Sequence, residues 1–185
     1  MKNKLAIFDL DGTLFDTRDV NFESYKLALK KYGYELEYEF FCEECNGMSY
    51  KKFLPDIIKN NDVSIDVVHK LKKELYSSNL NKARVNEHLF NLIELIKDEY
   101  YISIVTTASK KNCTEILDYF NKMNLFDLII AYEDIENAKP DPEGFIKAME
   151  YFDIEPKETI IFEDSKVGVE AANNSSANVF IVNRF

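Results

Sequence analysis

The sequence predicts an α/β protein built on a parallel sheet, with a helical segment inserted after the first strand. Several short runs rich in Ile, Val, Phe and Tyr are bounded by polar or turn residues, as buried strands of a parallel sheet are. Helical patterns separate most of these runs, and this alternation is typical of βαβ units. Residues 9–100 break the alternation, because this stretch is far too long for a single crossover helix. We therefore expect a Rossmann-like core that carries a helical cap.

The elements of the core follow from these runs in chain order. The predicted strands cover residues 5–8, 101–105, 128–131, 159–162 and 179–182. The predicted helices between them cover residues 87–97, 110–120, 143–151 and 167–173.

The inserted segment is predicted to be mostly helical. Phe22, Tyr25 and Leu29 share one face of a first helix, which Gly33 is well suited to end. Further helices are expected at residues 37–45, 50–59 and 65–78. We therefore assign residues 1–17 and 84–185 to the catalytic core, and residues 18–83 to the cap.

Composition limits the classes of function. The formal net charge of -10 argues against binding to nucleic acid or to an anionic membrane. No apolar run is long enough to span a bilayer, and Asp9 and Asp11 interrupt the first one, so a signal peptide is not expected. The three cysteines form no disulfide framework, and Cys42 and Cys45 have no second pair that would suggest a metal site. We expect a cytoplasmic monomer.

Two carboxylates follow the first predicted strand directly. In an open α/β sheet, ligands bind at the carboxyl ends of the strands, which is where Asp9 and Asp11 fall. A spacing of two on an extended backbone places both on the same side. They could share a metal ion, act as nucleophile and general acid/base, or do both. The alternative, a simple turn at Asp11 and Gly12, gives no reason for a costly carboxylate at Asp9.

Four short motifs give this pattern a specific resemblance. Residues 9–14 (DLDGTL) resemble the first motif of the haloacid-dehalogenase-like phosphatases. Thr106 stands where the second motif has Ser or Thr, residues 139–142 (KPDP) resemble the third, and residues 162–165 (FEDS) resemble the fourth. The order is correct and the resemblance covers essentially the whole chain. It indicates the subgroup with a helical cap after the first motif, similar to phosphoglycolate phosphatase and beta-phosphoglucomutase.

The resemblance implies a phosphoaspartyl route to hydrolysis. Asp9 would attack phosphorus and Asp11 would act as general acid and base. Mg²⁺ would be held by Asp9, by the backbone carbonyl of Asp11 and by Asp164, while Glu163 would act indirectly or through water. A dehalogenase needs no acid/base at the position of Asp11, so phosphoryl transfer is favoured over dehalogenation.

Phosphate binding is assigned by the same resemblance. Lys139 would pair with phosphate oxygens and with Asp9, while Thr106, Thr107 and the backbone N–H groups there would donate hydrogen bonds. Each of these residues could instead have a purely structural role. Thr106 could be structural, Lys139 a solvated loop residue, and Glu163 with Asp164 a helix N-cap. Their joint occurrence favours the functional interpretation.

Residues of the cap are predicted to contact the leaving group of the substrate. The candidates are Asn21 and the break between helices at Gly47, Met48 and Ser49. Related sugar-phosphate mutases carry His at position 21, Lys at 46 and Arg at 50, and this sequence has none of the three. We therefore predict hydrolysis of a small phosphorylated metabolite. A phosphomutase or phosphotransferase, or an inactive binding protein, is the alternative.

Overall fold

The computed structural model describes residues 2–59 and 63–183. The chain divides into two compact units. The first, here called the core unit, comprises the residues up to Asp16 and those from Arg84 onwards. The second, the helical unit, comprises Thr17–Ala83.

Strands and helices alternate through the core unit, whereas the described residues of the helical unit form helices and loops. In chain order the elements are β1 (Lys4–Phe8), β2 (Phe15–Asp16), α1 (Arg18–Lys30), α2 (Tyr38–Phe40), a π-helical turn (Phe41–Cys45), α3 (Tyr50–Ile57), α4 (Ile65–Tyr76), a 3₁₀ segment (Ser77–Lys82), β3 (Arg84–Val85), α5 (Glu87–Ile96), β4 (Tyr100–Val105), α6 (Lys110–Tyr119), β5 (Leu128–Ile130), α7 (Glu143–Phe152), β6 (Thr159–Glu163), α8 (Lys166–Asn174) and β7 (Asn178–Ile181). Short 3₁₀ turns lie at Met123–Leu125, Tyr132–Asp134 and Pro156–Glu158.

The main sheet has five parallel strands in the order β5-β4-β1-β6-β7, so the predicted α/β fold is confirmed. The first strand lies at its centre between β4 and β6. Phe8, its last residue, pairs with Ile104 on one side and with Phe162 on the other. Because the three strands run in the same direction, the residues that follow them emerge at one edge of the sheet.

Alternate residues of β1 face opposite sides of the sheet, as strand geometry requires. Leu5 and Ile7 belong to a buried cluster that also includes Phe145 of α7. Phe8 points to the other side, where its ring stacks on Phe162 with 4.5 Å between centroids. Every residue from Leu5 to Phe8 is fully buried, which explains why the strand is a continuous apolar run.

A second, two-stranded sheet was not predicted. In it, β2 pairs antiparallel with β3 through Phe15 with Val85 and Asp16 with Arg84. The guanidinium of Arg84 also donates a hydrogen bond to the carboxylate of Asp16. Strands of two residues leave no alternation to detect, and the partners are far apart in sequence.

The helical unit packs around an aromatic core of its own. The predicted face of α1 is confirmed, because Phe22, Tyr25 and Leu29 are all buried in this cluster. Gly33 also ends the helix as predicted. It adopts φ +82°, and the N–H groups of Gly33 and Tyr34 donate to the carbonyls of Lys30 and Leu29 at 3.1 Å.

The helix predicted at residues 37–45 is divided in two. The segment Tyr38–Phe40 is α-helical, and Phe41–Cys45 continues as a π-helical turn closed by a 2.8 Å bond from Asn46 N–H to the Phe41 carbonyl. Hydrophobic periodicity cannot reveal this extra residue per turn.

Among the described residues, no helix combines the length and the apolar character needed to cross a membrane.

Two apolar residues of α5 allow a matched test of the core. Ile93 is fully buried and Leu95 is 83% exposed. We expect Ile93→Ala to lower the free energy of unfolding by about 2–5 kcal/mol, because it leaves a cavity. Leu95→Ala on the same helix should change it by less than about 0.5 kcal/mol. Urea unfolding followed by circular dichroism measures both, and equal effects would contradict this packing.

Candidate active site

The predicted nucleophile is held in place by the end of β1. The backbone N–H of Asp9 donates to the carbonyl of Phe162 at 3.0 Å, which extends the pairing with β6 by one residue. The chain then turns sharply. Gly12 adopts φ +95°, and its N–H donates to the carbonyl of Phe15 at 2.7 Å. As a result Asp9 is buried while Asp11, in the turn, is only half-buried.

Lys139 links the carboxylates of two neighbouring strands. Its Nζ lies 2.7 Å from Asp9 Oδ1, 2.6 Å from Glu163 Oε1 and 3.1 Å from the carbonyl oxygen of Val105. An ammonium group has three N–H donors, and these three bonds employ all of them. The side chain of Lys139 is only 6% exposed, which excludes the alternative that it is a solvated loop residue.

The charges in this cluster do not balance. Burial acts to lower the pKa of Lys139, but the nearby Asp9 and Glu163 carboxylates outweigh it and the pKa is raised, so the ammonium stays charged. Burial raises the pKa of Asp9 well above its ordinary value; Lys139 opposes this, while Glu163 and Asp11 add to it. One buried cation therefore faces more negative charge than it neutralises.

Glu163 stands at the end of β6 with both carboxylate oxygens engaged. Oε1 accepts from Lys139, and Oε2 accepts from the N–H and hydroxyl of Ser165 at 2.9 and 3.0 Å. A Cβ atom at Gly168 would lie 1.8 Å from Oε1, so only glycine leaves room for this carboxylate. Ser165, rather than Glu163 or Asp164, caps α8, because its Oγ accepts from the Gly168 N–H at 3.1 Å.

Asp164 packs against the turn of the first motif. Its Oδ1 accepts from the Thr13 hydroxyl at 3.1 Å, and a Cβ atom at Gly12 would lie 2.2 Å from Oδ2. Burial and the neighbouring Glu163 raise the pKa of Asp164 to about 6, although Thr13 and Lys139 lower it. The first and fourth motifs are therefore fitted to each other at this edge of the sheet.

The second motif follows β4 at the same edge. Thr106 is buried, and its Oγ1 accepts from the Ala108 N–H at 3.0 Å. A hydroxyl can accept and donate at once, so Thr106 can also donate to an anion. Thr107 is exposed. The helix expected near Ser109 is confirmed, with Ser109 as the N-cap of α6.

The predicted substrate-contacting residues of the helical unit lie within that unit, and their role stays a prediction. Asn21 is on α1, where its Oδ1 accepts from Lys72 Nζ at 2.6 Å and its Nδ2 donates to Thr17 Oγ1 at 3.3 Å. Exposed loop residues precede α3, namely Gly47, Met48 and Ser49.

Lys72 was missed by the sequence analysis. It is 6% exposed on α4, between Val68 and Tyr76 at helical spacing, and its ammonium lies over the rings of Tyr25 and Tyr76 at 5.2 and 4.9 Å. The spacing of four residues between Val68, Lys72 and Tyr76 places the lysine on the buried face of α4, and this pattern could have indicated a buried ammonium group.

The core cluster has the chemistry of a site for a hard divalent cation. No group of three or more His, Cys, Asp and Glu side chains with metal-binding geometry occurs in residues 2–59 and 63–183. The predicted ligand set needs only two side chains, Asp9 and Asp164, together with the backbone carbonyl of Asp11. Burial and the neighbouring carboxylates raise both carboxyl pKa values, and a bound cation would offset the negative charge of the cluster. The residues therefore fit Mg²⁺.

Parallel α/β proteins carry their active sites at the carboxyl edge of the sheet, and the carboxylates gathered here place the chain among the enzymes of that class. Sequence comparison shows the family: a model of the haloacid dehalogenase-like hydrolases matches residues 6–182, and the chain belongs to this family of hydrolases. The resemblance drawn from the four motifs is thereby confirmed.

Two characterised relatives and one solved structure extend this finding. The chain is 28% identical to a phosphorylated carbohydrates phosphatase of Thermotoga maritima, over 92% of this chain and 80% of that protein. It is 22% identical to the fructose-1-phosphate phosphatase YqaB of Escherichia coli, over 90% and 89% of the two chains. The crystal structure of a subfamily IA hydrolase from Geobacter sulfurreducens superposes with a TM-score of 0.81 at 19% identity, covering 98% and 87%.

The charge of Lys139 can be tested through stability. Lys139→Met leaves two buried carboxylates without their cation, and we expect a loss of about 3–5 kcal/mol at pH 7 in the presence of EDTA. Removing the lysine raises the pKa of Asp9 further above its unfolded value, so the folded state binds a proton more tightly. The deficit should therefore shrink as the pH falls from 7 towards 5.

The control is Lys147→Met, which removes an exposed ammonium paired with Glu143 at 2.6 Å. It should alter the urea midpoint little at either pH. A deficit in Lys139→Met that stays constant with pH would show that the lysine does not compensate buried carboxylates.

Proposed function

We propose that this hydrolase is a Mg²⁺-dependent phosphatase that releases phosphate from a small phosphorylated metabolite through a phosphoaspartyl intermediate on Asp9. The observation that carries the proposal is the contact between Lys139 and Asp9 at the carboxyl end of β1. It holds a buried carboxylate in one orientation, with a cation beside it that can also face a phosphate. The two relatives described above, both phosphatases by name, support the same class of reaction.

The first step forms a bond between an Asp9 carboxylate oxygen and phosphorus, while the bond from phosphorus to the ester oxygen breaks. Asp11 gives a proton to the departing alcohol. Its half-buried position in the turn after Asp9 suits exchange of that proton with solvent.

The second step regenerates the enzyme. Asp11, now a carboxylate, takes a proton from a water molecule, whose oxygen attacks phosphorus. The bond from phosphorus to Asp9 breaks, inorganic phosphate leaves, and Asp9 is free to react again.

Catalysis of phosphoryl transfer depends mainly on positioning of the reacting groups and on electrostatic stabilisation of the transition state. Lys139 would orient Asp9 and would bind a phosphate oxygen by giving up its bond to the Val105 carbonyl, and Thr106 and Thr107 would donate hydrogen bonds. Glu163 would orient Lys139, since its own oxygens are engaged by Lys139 and Ser165. Mg²⁺ held by Asp9, Asp164 and the Asp11 carbonyl would offset negative charge on the phosphoryl group.

One observation favours a phosphomutase as the second candidate. The related mutases carry a basic residue at position 21, and here Asn21 accepts from the buried ammonium of Lys72, which brings positive charge to the same place. Against this, no basic residue stands at position 46 or 50. Phosphate release and transfer to an added sugar phosphate distinguish the two in one assay.

The helical unit is proposed to act as the cap that selects the leaving group, through Asn21 and the loop at Gly47, Met48 and Ser49. A cytoplasmic location and a monomeric state remain predictions from composition, as does the absence of nucleic-acid and membrane partners.

Removing the nucleophile gives a direct test. Asp9→Asn should abolish phosphate release from a panel of phosphorylated metabolites, a loss of about 10³-fold or more, because the amide does not attack phosphorus. EDTA should abolish release by the wild type, and Mg²⁺ should restore it. Asp118→Asn, which changes an exposed carboxylate of α6, should leave the rate unchanged. Release by Asp9→Asn at the wild-type rate would exclude Asp9 as the nucleophile.

Selection by the helical unit is tested at Met48, whose side chain is 48% exposed. Met48→Ala should change the ratio of kcat/KM values between metabolites by about 3- to 10-fold, because apolar contact with the leaving group is lost. Val67→Ala, an exposed apolar residue of α4, serves as the control and should preserve the ratios. Preserved ratios in Met48→Ala would exclude this side chain from selection.

A further inference from the structure

Four side chains of the helical unit form one connected chain of contacts. The hydroxyl of Tyr50 donates to Asp66 Oδ1 at 2.7 Å. The Tyr50 ring lies flat on the His69 ring, with 3.8 Å between centroids and 4° between planes. His69 Nδ1 lies 2.9 Å from the hydroxyl oxygen of Tyr25. The first residue of α3 is thereby tied to α4 twice, and through His69 to α1.

His69 is suited to a lasting apolar contact. Burial lowers its pKa to about 4, and the ammonium groups of Lys72 and Lys73 lower it further, whereas Asp66 raises it. The ring is therefore neutral near pH 7. Tyr25, its other neighbour, is buried and packs edge-on against Phe53 at 5.1 Å, so the chain of contacts ends in the aromatic core.

The loop directly before Tyr50 has few restraints of its own. Its four residues, 46–49, are all exposed. Gly47 adopts φ +80°, and at the start of the loop the Met48 N–H donates to the Cys45 carbonyl at 2.9 Å. At its end, the side chain of Ser49 makes no capping bond to α3. Backbone bonds of Asn46, Met48 and Lys52 therefore hold this loop together with the contacts of Tyr50.

We propose that Asp66 and His69 position the loop at residues 46–49 by holding Tyr50, and thereby determine which leaving group the enzyme accepts. The specificity part rests on the proposed function. Tyr50 itself is turned onto α4, with its hydroxyl on Asp66 and its ring on His69, so it acts through the loop rather than on the substrate. Asp66 and His69 are accordingly positioning residues.

Position 50 is a tyrosine where the related mutases carry arginine. The contacts give the tyrosine a role of its own, since its hydroxyl donates to Asp66 and its ring stacks on His69. This explains why a residue so close to the predicted substrate loop points into the unit.

Two variants of α4 break the chain of contacts at different points. Asp66→Ala removes the acceptor for the Tyr50 hydroxyl, and Asp66 is exposed, so folding should be little affected. His69→Ala removes the ring on which Tyr50 stacks. Each has a control on the same helix: Glu74→Ala removes an exposed carboxylate, and Val68→Ala removes buried apolar volume next to His69 while leaving Asp66 and the His69 ring in place.

Amide hydrogen exchange at Met48 and Lys52 measures the positioning without any substrate. These N–H groups donate to the Cys45 and Ser49 carbonyls, at the start and the end of the loop. We expect exchange to be faster by about 3- to 10-fold in both Asp66→Ala and His69→Ala, and unchanged in Glu74→Ala. The double variant should show no more than the larger single effect, because both residues act on Tyr50.

Steady-state kinetics measures the consequence. In both variants KM for the best metabolite should rise by about 3- to 10-fold, while kcat stays within about twofold, because the chemical groups are untouched. If Val68→Ala raised the exchange rates and KM as much as the two variants do, the cause would be a general loss of packing and the proposal would be overturned. The proposal would also be overturned if Asp66→Ala and His69→Ala both kept the exchange rates and the KM of the wild type. If the wild type hydrolysed no phosphate ester, the proposed function would fail, and the exchange rates alone would still decide the positioning.

Discussion

The ammonium group of Lys139 is the interaction on which the geometry of the core site depends. It joins the ends of three adjacent strands, because it donates to Val105 at the end of β4, to Asp9 after β1 and to Glu163 at the end of β6. Two buried carboxylates would be very costly without a cation between them. With it, the residue proposed to attack phosphorus is held in one orientation before any substrate binds, and that is the form of catalysis that phosphoryl transfer uses most.

Two glycines make this concentration of charge possible by leaving space. Gly12 lies against the carboxylate of Asp164, and Gly168 lies against that of Glu163, at distances that no Cβ atom could share. Burial first, and then the neighbouring carboxylates, raise the pKa values of Asp9 and Asp164, and a hard cation bound here would offset the negative charge that remains. The residues whose pKa values are raised are thus those that a bound metal ion and a phosphate would contact.

The helical unit is held together by a hydrophobic core of its own and by side-chain hydrogen bonds between its helices. Its core is aromatic and forms a cluster separate from the one beneath the sheet. Side-chain hydrogen bonds connect its helices, such as those from Lys72 to Asn21 and from Tyr50 to Asp66. Because this unit has its own core, changes in the residues proposed to select a substrate would leave the packing around the carboxylates of the core unit intact.

The sequence by itself determined the fold class and predicted which residues the structure brings together at the core site, because both depend on local patterns. Strand runs, helix periods and the four motifs are each readable within a few residues, and a parallel sheet brings the ends of its strands together by geometry alone. Only the tertiary structure decided which side chains contact one another. The contact of Glu163 with Lys139 and that of Lys72 with Asn21 both join residues distant in the chain. No local period encodes such contacts, since they arise when side chains from separate elements are packed into the same buried space.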